Sequence, residues 1–183
     1  MILVVSALKN EQIQIANSIS ILTGVGLVNA AVLTAKAICE NDIDLVINVG
    51  TVGAINEEIG SVHRVKSVIN ADYDLTKFKL DKYTTLGADF KKENAIQICE
   101  EGLTLASSNA FAQKIIDGIS LYDMEAYSIA KVCQTFGKKL IIVKGVSDLI
   151  GQNVNLKEYK EVLKNLNVKI KEEVLLALSE VIE

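Results

Sequence analysis

Hydrophobic positions along the chain gather into short, nearly unbroken runs: ILVVSA (2–7), SISILTG (18–24), DLVINVG (44–50), VHRVKSVI (62–69), LTLAS (103–107) and LIIVKGVS (140–147). Runs of this length with little polar alternation predict strands covered on both faces. Between them, apolar residues recur at helical spacing in LVNAAVLTAKAICEN (27–41), AYSIAKVCQTFG (126–137) and NLKEYKEVLKNLNVKIKEEVLLALSEVIE (155–183). Gly137 stands where the second of these helices would take its C-cap. Strands alternating with helices predict an α/β fold with a largely parallel or mixed sheet. The stretch 70–102 is charged and poorly patterned until ENAIQICEEG (93–102), which reads as a short helix. The chain has no proline, no repeat and no linker-like segment, which predicts one domain over residues 1–183.

Composition narrows the partners. A chain of 183 residues, 50% apolar and 23% charged, can bury a core and is globular rather than disordered. A formal charge of -4 and a pI near 5.2 set it against nucleic acid, whose phosphates need a basic face. Arg64 is the only arginine. Cys39, Cys99 and Cys133 form no CxxC pair, and an odd, scattered set predicts buried, reduced thiols in a reducing compartment. MILVVSALKNEQ carries no basic leader, so no signal peptide is expected. No apolar run approaches the roughly 18 residues of a membrane span. A soluble, cytoplasmic protein is predicted.

The candidate chemistry starts at ILTGVGLVNAA (21–31), where a strand-like run meets Gly24 and Gly26 and opens into a helix. A dinucleotide fingerprint would want a third glycine where Asn29 stands, and an acid some 20 residues on, for which Asp42 or Asp44 could be argued. The other reading is a tight strand-to-helix turn built from small residues. Three carboxylates stand out beyond it. Glu11 and Asp148 follow predicted strands at the carboxyl end, where α/β folds place ligands. Taken alone, Glu11 reads first as a first-turn helix glutamate, and Asp148 reads equally as the N-cap of a following turn. Glu125 lies at the start of an apolar helix, where a buried acid needs a partner such as a sugar hydroxyl or a backbone donor. It also reads as a helix N-terminal acid with Asp123 as the cap. Met124 alone would be a core filler. His63, the only histidine, reads as a strand-face residue with no ligand spacing around it, so neither a metal nor a cofactor is expected. Ser-His or Cys-His catalysis would have to use it. What remains is carboxylate chemistry.

Five blocks, in order, resemble the nucleoside phosphorylase and nucleosidase superfamily, and within it the methylthioadenosine/adenosylhomocysteine nucleosidase branch. They are VVSALKNEQ (4–12), TGVGLVNAA (23–31), DLVINVGTVGAI (44–55), YDMEAYSIAKVC (122–133) and IIVKGVSD (141–148). NADYDLTKF (70–78) and ASSNAF (106–111) are fainter echoes. The resemblance implies a three-layer fold with a central mixed, twisted sheet flanked by helices. It implies hydrolysis of the N-glycosidic bond of 5′-modified adenine nucleosides, and a homodimer. By it, Asp148 would protonate the purine at N7, and Glu11 would hold and activate the attacking water. Glu125 would bind the ribose hydroxyls, with Met124 beneath the sugar and Thr51 near the ribosyl site. Phe111 would stack on the purine, the backbone beside Ala112 would read its edge, and Ser147 would orient Asp148. A carboxylate paired with a protonated acid suits a transition state that builds positive charge on the sugar and negative charge on the leaving base. The acid's role asks for burial or a neighbouring charge at Asp148.

Phosphorolysis is the alternative. Phosphorolytic relatives hold phosphate with arginines, whose planar fork matches its oxygens, and this chain has only Arg64. A carboxylate at position 11 would repel phosphate. The chain also departs from its relatives. Residues 11–24 and 80–102 are abbreviated, Ser107-Ser108-Asn109 replaces a Ser-Gly-Asp loop, and Lys144 stands where arginine is frequent. A third reading is therefore a paralogue that binds nucleosides without cleaving them.

Overall fold

A computed structural model describes residues 1–112, 115–152 and 156–182. Strands β1 (Ile2–Ser6), β2 (Ser18–Leu22) and β3 (Leu45–Ala54) run parallel, with β1 in the middle. β4 (Val62–Asn70) is followed by a two-stranded hairpin of β5 (Thr85–Leu86) and β6 (Lys92–Glu93), then by β7 (Ile96–Gln97), which pairs antiparallel with β4. β8 (Leu103–Ser107) runs parallel to β4, and β9 (Leu121–Asp123) parallel to β8 and antiparallel to β3. β10 (Lys139–Leu149) pairs with β3 along its length and with β4 at its centre. β3, β10, β4, β8 and β9 thus form a closed circuit, and β1 and β2 extend from β3 as an open wing. The sheet is mixed and helices cover it, as the sequence patterning predicts.

Residue alternation explains the layers. Leu3, Val5 and Val46 face helices α1 (Leu27–Glu40) and α2 (Ala126–Phe136), packing with Ala30, Ile38 and Ile129. Val4, Leu45, Ile47 and Val49 point the other way, against Leu166, Ile170 and Val174 of α3 (Leu156–Ile182). Strands buried on both faces read as continuous apolar runs, which is why they were legible. Each fully buried Leu or Ile contributes about 1.5–3 kcal/mol of transfer free energy. Gly145 lets α3 approach closely, since a Cβ there would lie 2.6 Å from Leu166 Cδ2. Arg64 fastens the same helix at its far end, with Nε 2.5 Å from Glu173 Oε1 and Nη2 3.0 Å from Glu180 Oε1.

Several expectations change. ENAIQICEEG is not a helix, because Ile96 and Gln97 add to the open edge of β4 and the Ile98 N–H bonds the Lys66 carbonyl. A ten-residue segment is too short to hold a helix against such an edge. The second run ends at Leu22, because the N–H groups of Thr23 and Gly24 turn back to the carbonyls of Ser6 and Ala7. Only Cys133 is a buried thiol, and burial pushes it up to about 12; Cys39 and Cys99 are exposed. Gly137 does cap α2, in the left-handed conformation at φ 63°. The predicted ends of the last helix at 155 and 183 lie outside the described residues.

Candidate active site

β1 stops pairing with β3 at Asn48, and β9 does not take over until Gly53. The backbone between them faces a cavity of about 430 Å3, within the range of small-molecule sites. Glu11 fills the gap left by β1. It ends the 3-10 turn Lys9–Glu11 and is buried. Its Oε1 accepts from the Thr51 N–H at 2.9 Å and the Thr51 hydroxyl at 2.7 Å, and its Oε2 accepts from the Leu8 N–H at 3.1 Å. The first-turn reading of Glu11 therefore holds for one oxygen only. The other belongs to the cavity wall.

The remaining predicted residues converge on the same cavity. Phe111 and Ala112 come from the loop after β8, Met124 and Glu125 from the start of α2, and Ser147 and Asp148 from β10. Phe111 presents a ring that is 85% exposed at the mouth. Asp148 caps no helix, because β10 continues through a bulge to Leu149. It is half-buried and accepts the Ser147 hydroxyl at 2.6 Å. Gly53 leaves room for it, since a Cβ there would lie 3.1 Å from Asp148 Oδ2.

Behind this wall lies a charge cluster that the sequence reading did not assemble. Lys144 is 2% exposed, and its Nζ lies 2.9 Å from Asp123 Oδ2. Asp123 does cap α2, accepting from the N–H groups of Glu125 and Ala126, and it takes the Ser107 hydroxyl at 2.5 Å. Burial alone would lower the Lys144 ammonium's pKa, but Asp123, Glu125 and Glu11 outweigh it and raise it. A lysine inside an apolar strand was the available signal, and it pointed to no particular partner.

Burial, reinforced by Asp123, pushes Glu125 up to about 7, against the pull of Lys144 and a 2.9 Å hydrogen bond from the Gly26 N–H. The carboxyl has an ordinary value of 4.5 in the unfolded chain, so between pH 4.5 and about 7 the folded state binds the extra proton. Stability therefore falls as pH rises through that window. Glu125→Gln keeps the acceptor for Gly26 and removes the charge. It is expected to stabilise the fold by on the order of 2 kcal/mol at pH 8 and by little at pH 4.5. Denaturant titrations at the two pH values check this, and a loss of stability at pH 8 would refute it.

The glycine turn is not a phosphate cradle. Gly24 and Gly26 adopt φ 72° and 104°, and the first helix donors are already committed, Gly26 to Glu125 and Leu27 to Asn109 Oδ1 at 3.1 Å. Asp44 is paired with the Met1 amine at the start of β3. His63 sits on β4 as expected. Its Nε2 meets both the Ser61 hydroxyl, at 2.8 Å, and Glu57, at 3.3 Å. One nitrogen serving both partners leaves no relay, and the Ser61 hydroxyl donates to the Glu58 carbonyl.

A mixed sheet closed on itself, with acids gathered at the carboxyl ends of its parallel strands, defines a nucleoside-phosphorylase-like α/β protein. The sequence profile described as the phosphorylase superfamily matches residues 16–116, more than half of the chain, and the chain belongs to that family. It is 27% identical to the 5′-methylthioadenosine/S-adenosylhomocysteine nucleosidase of Bacillus pumilus, over 73% of this chain and 69% of that one. It is 28% identical to that of Bacillus subtilis, over 71% and 67%. Among solved structures, the nucleosidase of Colwellia psychrerythraea in complex with adenine superposes with a TM-score of 0.79 at 17% identity, covering 95% of this chain and 92% of that one. The Neisseria meningitidis nucleosidase with methylthio-immucillin-A gives 0.75 at 19%, covering 95% and 97%. At such identities these likenesses speak for the fold. Glu11, Glu125 and Asp148 lie outside the profile's span, so their placement rests on the geometry above.

Proposed function

We propose that the chain is a purine nucleosidase, hydrolysing the N-glycosidic bond of 5′-modified adenine nucleosides such as methylthioadenosine or adenosylhomocysteine. The observation that carries this is the charge of the cavity wall. Its described lining holds Glu11, Glu125 and Asp148 and no arginine or lysine; Lys144 is buried behind it against Asp123, and Arg64 is committed to α3. Such a wall repels a phosphate dianion and stabilises a cationic sugar.

In this reading Glu11, aimed by Thr51, takes a proton from a water that attacks C1′. Asp148, held by Ser147, gives a proton to N7 as the bond from C1′ to N9 breaks, so adenine leaves neutral. Glu125 accepts the ribose hydroxyls, Met124 packs under the sugar, Phe111 closes over the purine and the backbone at Ala112 reads its edge. A nucleoside filling the cavity would also cover half-exposed Asp148.

A homodimer in the cytoplasm belongs to the same proposal. Val28 and Val32 on α1 are 71% and 59% exposed beside Phe136 of α2, an apolar face a second copy could cover, and light scattering at the monomer mass would remove it. Among the described residues no helix is long and apolar enough to cross a membrane.

The test is chromatographic detection of free base from a panel of adenine and hypoxanthine nucleosides, with and without phosphate. Adenine released without phosphate is expected. Release only with phosphate would make the chain a phosphorylase, and tight binding without release would make it a nucleoside-binding paralogue.

A further inference from the structure

β2 (Ser18–Leu22) is the last strand of the wing, and among the described residues no strand pairs with its outer side. Its register with β1 runs unbroken from Ser18 to Leu22. The Thr23 N–H bonds the Ser6 carbonyl, which sets the N–H and carbonyl groups of Ile19 and Ile21 toward β1. Those of Ser18, Ser20 and Leu22 therefore face outward. The side chains of Ile19 and Ile21 join the layer packed on α1 and are only partly buried in it. Natural sheets protect such an edge with a lysine, a proline, a bulge or an inward charge. SISIL has none of these.

We propose that the outer edge of β2 is an interaction surface for a second copy of this chain, joined antiparallel about a two-fold axis at Ser20. The sequence favours a copy over a foreign strand, since Ile19-Ser20-Ile21 reads the same in both directions. With Ser20 opposite Ser20 of the partner subunit, the two residues exchange both backbone hydrogen bonds. Ser18 meets the partner's Leu22 in the same way, and symmetry repeats that pair. Ile19 then stands opposite the partner's Ile21 on the side of α1, so each half-covered isoleucine gains an apolar neighbour across the axis. No charged side chain lies on the strand to oppose its own image. A contact of this kind uses one patch on both copies and closes on itself. It is a different surface from the face of Val28, Val32 and Phe136, and it does not depend on the nucleosidase reading.

Val28→Asp/Val32→Asp removes the helix face, and light scattering on that variant is expected to read twice the chain mass of 19.9 kDa. Adding Ser20→Lys, which sets like charges opposite each other at the axis, should halve that mass. Adding Ser20→Pro instead should halve it too, because proline removes an outward N–H that β1 does not use. Circular dichroism matching the parent checks that each variant is folded. Ser20→Cys supplies the positive counterpart. Hydrogen-bonded antiparallel pairs hold their Cα atoms about 5.5 Å apart, within disulfide reach. Mild oxidation should therefore join two chains through the introduced thiols, as peptide mapping would show. A single-chain mass for Val28→Asp/Val32→Asp, or a mass unmoved by adding Ser20→Lys, would overturn the proposal. So would an oxidised Ser20→Cys protein that stays single-chain or links only through Cys39 or Cys99.

Discussion

Lys144→Met is expected to remove about 3–5 kcal/mol of stability, a large share of the 5–15 kcal/mol typical of a folded domain. The side chain keeps its unbranched stem and loses its charged terminal atom. What remains is Asp123, with a side chain 1% exposed, facing Glu125 with no other cation among the described residues paired to either. Lys144 is also one of two groups that hold Glu125 down, the other being the Gly26 N–H, so its loss drives Glu125 further above about 7. The defect should therefore deepen as pH rises. For a chain of this length the melting temperature should fall by roughly 10 °C or more at neutral pH. The companion Asp123→Asn/Lys144→Met removes both charges and should recover part of the loss, because a buried pair is costly to break and cheaper to delete whole. A single variant melting within about 2 °C of the parent would show that the pair carries little of the fold's stability.

Asp148→Asn and Glu11→Gln are each expected to lower kcat for adenine release by about 10²–10⁴, with smaller changes in KM. The two fail for different reasons. Asn at 148 keeps an acceptor for the Ser147 hydroxyl but has no proton for N7. At position 11 the carboxylate accepts at both oxygens, from Leu8 on one side and Thr51 on the other, so a glutamine must turn its N–H₂ toward one of those donors. That variant loses its base and its aim together. If the two residues act in one step, the double variant should be scarcely worse than either single. A residual rate near that of the parent in either single variant would remove that residue from the chemistry.

Much of the frame was legible because it rests on local demands. Strands buried on both faces must be apolar throughout, as in ILVVSA and DLVINVG, and helices must repeat at their own period, as in LVNAAVLTAKAICEN. The acids could be singled out because a carboxylate at the end of an apolar strand, or at the head of an apolar helix, is out of place unless something partners it. Where local demand is weak, the reading failed. ENAIQICEEG has helix formers enough, but the open edge of β4 offered backbone partners that a ten-residue helix could not match.

The sequence by itself determined the alternation of strands and helices, the turn at Gly24 and Gly26, and which acids called for an explanation. Only the tertiary structure decided what each of them meets. It closed the sheet from β3 through β10 back to β9, brought Lys144 to Asp123, and bound Asn109 to Asp72. The reason is physical. Burial and periodicity act within a few residues of the chain, whereas a charge or an amide takes its partner by position and geometry across elements far apart in sequence.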